Sequence, residues 1–284
     1  MRKVIDVVLY NGEKDMLDLR IQELGSVVDE FWIIEGNCTF TGAPKELVFR
    51  DQIQYSNWPE SKIKYFPFLP HPSTISNDPW VNEFAQRNYI GTLLGQCNPA
   101  DLILYSDVDE IPRPEAVASA RTDIWSNYFG FEMSTHYLKF NFQMIEPAVL
   151  ATSVCTIGFS SKHLDLHSAN NLRIGIRDRS IEARIWENGG WHFSYMMNED
   201  LIKNKIRSFS HQEFNTPEIL RNISVQRTLM NKEDLLLREG YIWDFCSINT
   251  LPMSVRDNPR KYREHLYENA FRWPIPQIFG LRRQ

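Results

Sequence analysis

The sequence contains no CxxC pair and no cysteine–histidine cluster, and its four cysteines, Cys38, Cys97, Cys155 and Cys246, are scattered over 284 residues. Neither a zinc site nor a disulfide framework is written into such spacing. Long apolar runs are missing too: stretches such as Val7-Val8-Leu9-Tyr10 and Leu102-Ile103-Leu104-Tyr105 are far too short to span a bilayer. Met1-Arg2-Lys3 leads straight into Val4-Ile5-Asp6-Val7 without the apolar core and small-residue cleavage site of a signal peptide. A cytoplasmic protein with reduced thiols is therefore expected. Positive charge is not in excess, since 31 Lys+Arg against 36 Asp+Glu leave a net charge of −5, which argues against coating nucleic acid through general electrostatics. No internal repeat or low-complexity linker interrupts the chain. What remains is an ordinary globular composition, 43% hydrophobic and 24% charged, at a length that suits one large α/β domain.

The first third alternates strand-like and helix-like segments, the pattern of a mostly parallel sheet covered by helices. Residues 3–10 read as a strand, 13–25 as an amphipathic helix through Leu17, Ile21, Leu24 and Val28, and 31–34 and 63–66 as further strands. Residues 80–97 read as helix. The apolar run at 101–106 has the character of a strand buried on both faces. Segments 129–133, 137–142, 155–159 and 172–176 alternate or are rich in aromatics and predict antiparallel or mixed strands. From Asn198 onward helical patterns return, at 200–210, 216–223 and 232–238. Residues 1–215 are expected to form the α/β domain and 216–284 a helical extension packed on it. The end of the chain is locally basic, with Arg256, Arg260, Lys261, Arg263, Arg272, Arg282 and Arg283; a weak peripheral contact with an anionic membrane is one reading of it, and a solvated tail is the plainer one.

Asp107 and Asp109 follow the buried strand, and in open α/β sheets ligands bind beyond the carboxyl ends of strands. Two residues apart in extended chain, the two carboxylates are expected to leave one face and converge on a hard divalent cation, which can neutralise charge on a departing diphosphate. The first strand ends in Tyr10-Asn11-Gly12-Glu13, with neither the Gly-Lys-Ser/Thr ending of a P-loop nor the GxGxxG fingerprint. Kinase and dehydrogenase chemistry lose support accordingly.

The ordered motifs resemble those of glycosyltransferase family 17. They are Val7-Val8-Leu9-Tyr10-Asn11-Gly12-Glu13, the following helix with Arg20, Glu23 and Leu24-Gly25, then Glu35-Gly36-Asn37-Cys38-Thr39, Asp107-Val108-Asp109-Glu110-Ile111-Pro112 and Gly190-Trp191-His192-Phe193-Ser194, with Lys205, Ser208, Phe209 and His211 beyond. The resemblance implies a GT-A-like, Rossmann-like mixed sheet flanked by helices. It also implies a UDP-sugar donor, UDP-N-acetylglucosamine, a Mn²⁺ or Mg²⁺ ion, and inversion at the anomeric carbon of the sugar moved to a glycan acceptor. Animal members carry a membrane-spanning N-terminus in the Golgi, whereas this chain opens on its first strand, so its acceptor need not be an N-glycan.

Carried onto matching positions, the resemblance implies Asp107 and Asp109 as metal and diphosphate ligands, with His192 as a third metal ligand. Glu35, Asn11 and Glu13 are candidates for the nucleoside, Arg87 for the diphosphate, and Trp191 for stacking on a sugar. The general base that inversion requires is left among Glu110, Glu199 and Asp200. Two alternatives stand beside this reading. A sugar-phosphate nucleotidyltransferase would also use paired carboxylates, but it wants a basic Gly-rich loop after the first strand, which is absent. A non-catalytic carbohydrate-binding protein would use the chain's 8 Trp, 11 Tyr and 17 Phe without a metal.

Overall fold

The structure, a computed structural model, describes residues 2–54, 56–147, 150, 152–166 and 168–268. Arg272, Arg282 and Arg283, and with them the far end of the basic tail, lie outside the described residues. No described helix is long and apolar enough to cross a membrane.

The first third folds as its periodicity predicts. Strand β1 (Val4–Tyr10) is buried at every position; Gly12, at φ +93°, makes the turn that starts helix α1 (Lys14–Leu24). Strand β2 (Glu30–Gly36), the short helix α2 (Phe49–Ile53), β3 (Ile63–Phe68), α3 (Pro79–Asn88) and β4 (Leu102–Asp107) follow. The strands lie parallel in the order β3-β2-β1-β4. Alternate residues of β1 and β4 feed two hydrophobic layers, Val4, Val8, Leu102 and Leu104 on one face, and Ile5, Val7, Ile103 and Tyr105 on the other. Because β2 and β3 extend to one side of β1 while β4 lies on the other, the carboxyl ends of β1 and β4 flank a topological switch point.

The rest of the chain converts this parallel half into a mixed sheet. It contains β5 (Glu110–Pro112), α4 (Pro114–Thr122), β6 (Tyr128–Tyr137), β7 (Lys139–Glu146), β8 (Thr152–Ser160), α5 (Ala169–Arg177), β9 (Arg184–Ser194) and α6 (Glu199–Ser208). Strand β8 pairs antiparallel with β4 and with β6, and β9 runs parallel to β6 while its other edge takes up β5. The described residues thus form a ten-stranded sheet flanked by helices.

Three segments depart from expectation. Residues 172–176, alternating in sequence, lie inside helix α5, where Ala169, Leu172, Arg173 and Ile176 are buried; this i, i+3, i+4, i+7 spacing outweighs the short alternation. Helix ends earlier than expected after α3, which gives way to 3₁₀ turns at Tyr89–Thr92 and Leu94–Gln96, around Gly91 and Gly95. Residues 232–238 form turns rather than helix, and beyond the short helices Pro217–Asn222 and Val225–Asn231 an edge strand, β10 (Ile242–Phe245), joins the sheet against β7.

Glu30, at the start of β2, accepts from Lys3 Nζ at 2.9 Å, Lys64 Nζ at 2.8 Å and Trp32 Nε1 at 2.9 Å. Burial alone would raise its carboxyl, but these donors outweigh it and hold it down at about 2. A depressed carboxyl contributes stability that is complete above its ordinary pKa and is lost as pH falls towards the folded value. Urea midpoints measured from pH 5 to pH 2 should therefore fall less steeply in Glu30→Gln than in the wild type; parallel curves would contradict the assignment.

Candidate active site

The site begins with a buried charge. Asp6 shares a face of the sheet with Ser106, and Arg20 of α1 enters the space both leave. Its guanidinium meets Asp6 at 2.7 Å through both Nε and Nη2, and Ser106 Oγ at 2.8 Å. Nη1 donates to the carbonyls of Asp107 at 3.2 Å and Glu110 at 2.6 Å. Arg20 therefore holds the backbone of the turn at 107–110 from beneath.

Asp107 and Asp109 do not leave one face. Strand β4 ends at Asp107, and Val108 and Asp109 form a turn, so the period-two argument stops one residue too early. Asp107 points to the layer of Ile103 and Tyr105, beneath α3 and α5. There Arg87 grips it with Nη1 at 2.8 Å and Nη2 at 3.1 Å, and Arg173 Nη2 approaches at 3.3 Å. Burial would raise this carboxyl, but the two guanidinium groups keep it well below the usual range. Arg87 has its fork engaged by Asp107 and its Nε by Glu83 at 2.7 Å, so the expected diphosphate contact is replaced by a positioning role. Glu83 in turn accepts from the Ser210 hydroxyl.

Asp109 is in a different position. Its side chain is 10% exposed, it receives no hydrogen bond among the described residues, and its nearest cation is Lys205 Nζ at 3.8 Å. Burial pushes its carboxyl up, against the pull of Lys205 and His192. Opposite this turn, β9 passes so close to β5 that a methyl on Gly190 would strike the Ile111 carbonyl, and the register sets His192 against Glu110. Burial opposes a charge on His192, but the Cys155 thiol, 3.9 Å from Nδ1, and the carboxylates of Asp109 and Glu110 prevail and push it up to about 9.

The metal set expected from the sequence, Asp107, Asp109 and His192, does not close as three ligands, because Asp107 is held by two arginines. Among the described residues, the three side chains whose donor atoms do lie within 4.8 Å of one another are Glu110, Cys155 and His192, yet Glu110 is itself paired with Arg173 and accepts from the Asp107 N–H at 3.0 Å. Of the expected set, Asp109 and His192 are the two that no arginine holds among the described residues. Asp109 offers carboxylate oxygens without donors, which suit Mn²⁺ or Mg²⁺, whereas the His192 imidazole becomes a ligand only on losing its proton.

The cleft at the switch point has a volume of about 810 Å³ and is lined by Asn11, Glu13, Asp109, Tyr195, Glu199 and Lys205, among others, a size that suits a small-molecule site. Asn11 accepts from Lys45 Nζ at 2.6 Å and gives its N–H to Glu13 at 2.9 Å. Both residues line the cleft. Of the candidate bases, Glu199 lines the cleft with one oxygen tied to the Val225 N–H at 2.8 Å. Asp200 is exposed and Glu110 is 2% exposed and paired with Arg173; neither lines the cleft.

Glu35 and Trp191 prove structural. Glu35 is fully buried and accepts from the N–H groups of Val48 at 2.9 Å and Phe49 at 3.2 Å and from Tyr65 OH at 2.8 Å, leaving no oxygen for a nucleoside. Its replacement by Gln should cost about 1–3 kcal/mol in urea unfolding while leaving nucleotide affinity unchanged, and a selective loss of affinity would reinstate the nucleoside contact. Trp191 is 2% exposed, donates to the Thr250 carbonyl at 2.8 Å and carries Arg113 over its ring at 4.1 Å. It is core and cannot stack on a sugar.

Sequence reasoning missed Arg173, because its segment was read as strand. The signal was available in Ser168, which caps α5 by accepting from the Asn171 N–H, and in the helical spacing of the buried residues.

The profile of the family described as glycosyltransferase family 17 matches residues 1–273. Among curated proteins, the beta-1,4-mannosyl-glycoprotein 4-beta-N-acetylglucosaminyltransferase of Rattus norvegicus is 27% identical, covering 99% of this chain and 57% of that protein. The Homo sapiens protein of the same name is 28% identical over 75% of this chain and 44% of its own length. The chain thus spans about half the length of the curated relatives it matches. Among solved structures, the galactosyltransferase LgtC with donor and acceptor sugar analogs overlaps at a TM-score of 0.34 and 9% identity, over 63% of this chain and 66% of that one, too loosely to bear on function.

Proposed function

The chain belongs to glycosyltransferase family 17, and we propose that it transfers a sugar, N-acetylglucosamine from UDP-N-acetylglucosamine, to a hydroxyl of a glycan or polysaccharide precursor with inversion at the anomeric carbon. The observation that carries this reading is Asp109, a buried carboxylate without hydrogen-bond donors at the edge of a cleft on the switch point. The names of the relatives, both N-acetylglucosaminyltransferases, support N-acetylglucosamine as the sugar.

In this reading the donor lies across the ends of β1 and β4, with Asn11 and Glu13 on its nucleoside side. Glu199, at the N-terminus of α6, takes the proton of the acceptor hydroxyl as its oxygen attacks the anomeric carbon. Arg20, Arg87 and Arg173 touch no substrate; they fix the backbone and carboxylates of the turn so that Asp109 faces the cleft without reorganising. A Mn²⁺ or Mg²⁺ ion held by Asp109 and His192 would supply charge neutralisation for the diphosphate.

Calorimetry with UDP, GDP and CMP, each with and without Mn²⁺, tests the reading. Binding of UDP that strengthens with Mn²⁺ is expected. A folded protein that binds none of the three would favour a carbohydrate-binding module instead.

A further inference from the structure

We infer that Lys205 is a catalytic residue of this transfer, its ammonium binding the diphosphate of the donor and meeting the charge that develops there as the sugar departs. The inference deepens the transferase reading and rests on it. Three arginines surround the turn at 107–110, each held by carboxylates among the described residues: Arg20 by Asp6, with Ser106 and backbone carbonyls, Arg87 by Glu83 and Asp107, and Arg173 through Nε and Nη2 by the Cys155 carbonyl, Asp107 and Glu110.

Lys205 differs from all of them. Its Nζ lies 3.8 Å from Glu13 and 3.8 Å from Asp109, beyond hydrogen-bond reach of either, and it makes no hydrogen bond among the described residues. Its place is nevertheless well determined. Ile202 and Ile206 anchor α6 in the core, while Leu201, Asn204, Lys205 and Ser208 turn to the cleft, and the Tyr195 ring lies 5.5 Å from the ammonium. An ammonium held between the ends of β1 and β4 with all three donors available is suited to phosphate oxygens, which accept charge-assisted bonds from several directions.

In the transfer, the acceptor oxygen bonds to the anomeric carbon as the bond from that carbon to the β-phosphate oxygen breaks. The hydroxyl proton passes to Glu199, and the electron pair of the broken bond leaves with the nucleoside diphosphate. That adds negative charge on the oxygens facing Lys205. Glu199 and Lys205 are six residues apart on α6, about 9 Å along its axis, which leaves room for a sugar ring between the proton acceptor and the leaving group.

The test compares wild type, Lys205→Gln and Lys205→Arg by calorimetry with UDP and UMP at fixed Mn²⁺, and by turnover of UDP-N-acetylglucosamine. Lys205→Gln should weaken UDP by about 10-fold or more, leave UMP unchanged, and lower kcat by about 100-fold, the effect of removing one preorganised donor from a developing anion. Lys205→Arg, which keeps the charge, should restore most of the UDP affinity. A Lys205→Gln protein that melts earlier but keeps the wild-type ratio of UDP to UMP affinity would reduce Lys205 to a structural ion pair and overturn the inference. Wild-type protein that binds neither UDP, GDP nor CMP would instead remove the transferase reading on which it depends.

Discussion

Replacing Arg20 by methionine is expected to lower stability by about 3–5 kcal/mol, the cost of leaving a buried charge without its partner. Asp6 and Arg20 are both fully buried, and the guanidinium is the cation that meets the Asp6 carboxylate there. Against a total stability of about 5–15 kcal/mol, that loss places the variant near its unfolding threshold, and urea denaturation measures it directly. Arg20→Lys should restore little, since a single ammonium cannot serve Asp6, Ser106 and the carbonyls of Asp107 and Glu110 together. The double variant Asp6→Asn with Arg20→Met removes the uncompensated charge and should recover part of the loss. It should not recover all of it, because those carbonyls still lose their donor. A single variant with the wild-type urea midpoint would show that the turn at 107–110 supports itself.

The second expectation separates two aspartates that the sequence presents as a pair. Asp109→Asn should lower sugar transfer by more than about 100-fold while the melting temperature stays level or rises, because burial already penalises the charged form of Asp109. Asp107→Asn should do the reverse in stability. It leaves Arg87 and Arg173 with one carboxylate fewer, and a loss of about 1–3 kcal/mol is expected, since Arg87 keeps Glu83 and Arg173 keeps Glu110. Thermal unfolding of the two variants side by side, together with donor turnover, decides the matter. Equal melting temperatures, or full turnover in Asp109→Asn, would contradict the division of labour described above.

The parallel half of the fold was legible because its central strands, β1 and β4, are short, apolar and almost wholly buried, and because turn and capping residues such as Gly12 and Asp78 set off the helices between strands. Periodicity fails where two patterns overlap. The run at 172–176 alternates like a strand, yet its buried positions extend backward to Ala169 with helical spacing. The acidic turn after β4 was legible as a candidate site, since the ends of central strands next to a switch point are where α/β sheets bind ligands. The roles were less so: Glu35 and Trp191 look functional in sequence, but their polar atoms are taken by backbone groups of Val48, Phe49 and Thr250.

By itself, the sequence determined the alternation that makes the sheet, the family, and the acidic turn that ends β4, because these depend on local spacing and residue order. Only the tertiary structure decided which carboxylate is free. Arg87 and Arg173 come from helices distant in the chain and neutralise Asp107, whereas Asp109 is left to a lysine 3.8 Å away. A carboxylate's availability depends on the charges and donors that surround it in space, and no spacing along the chain records them.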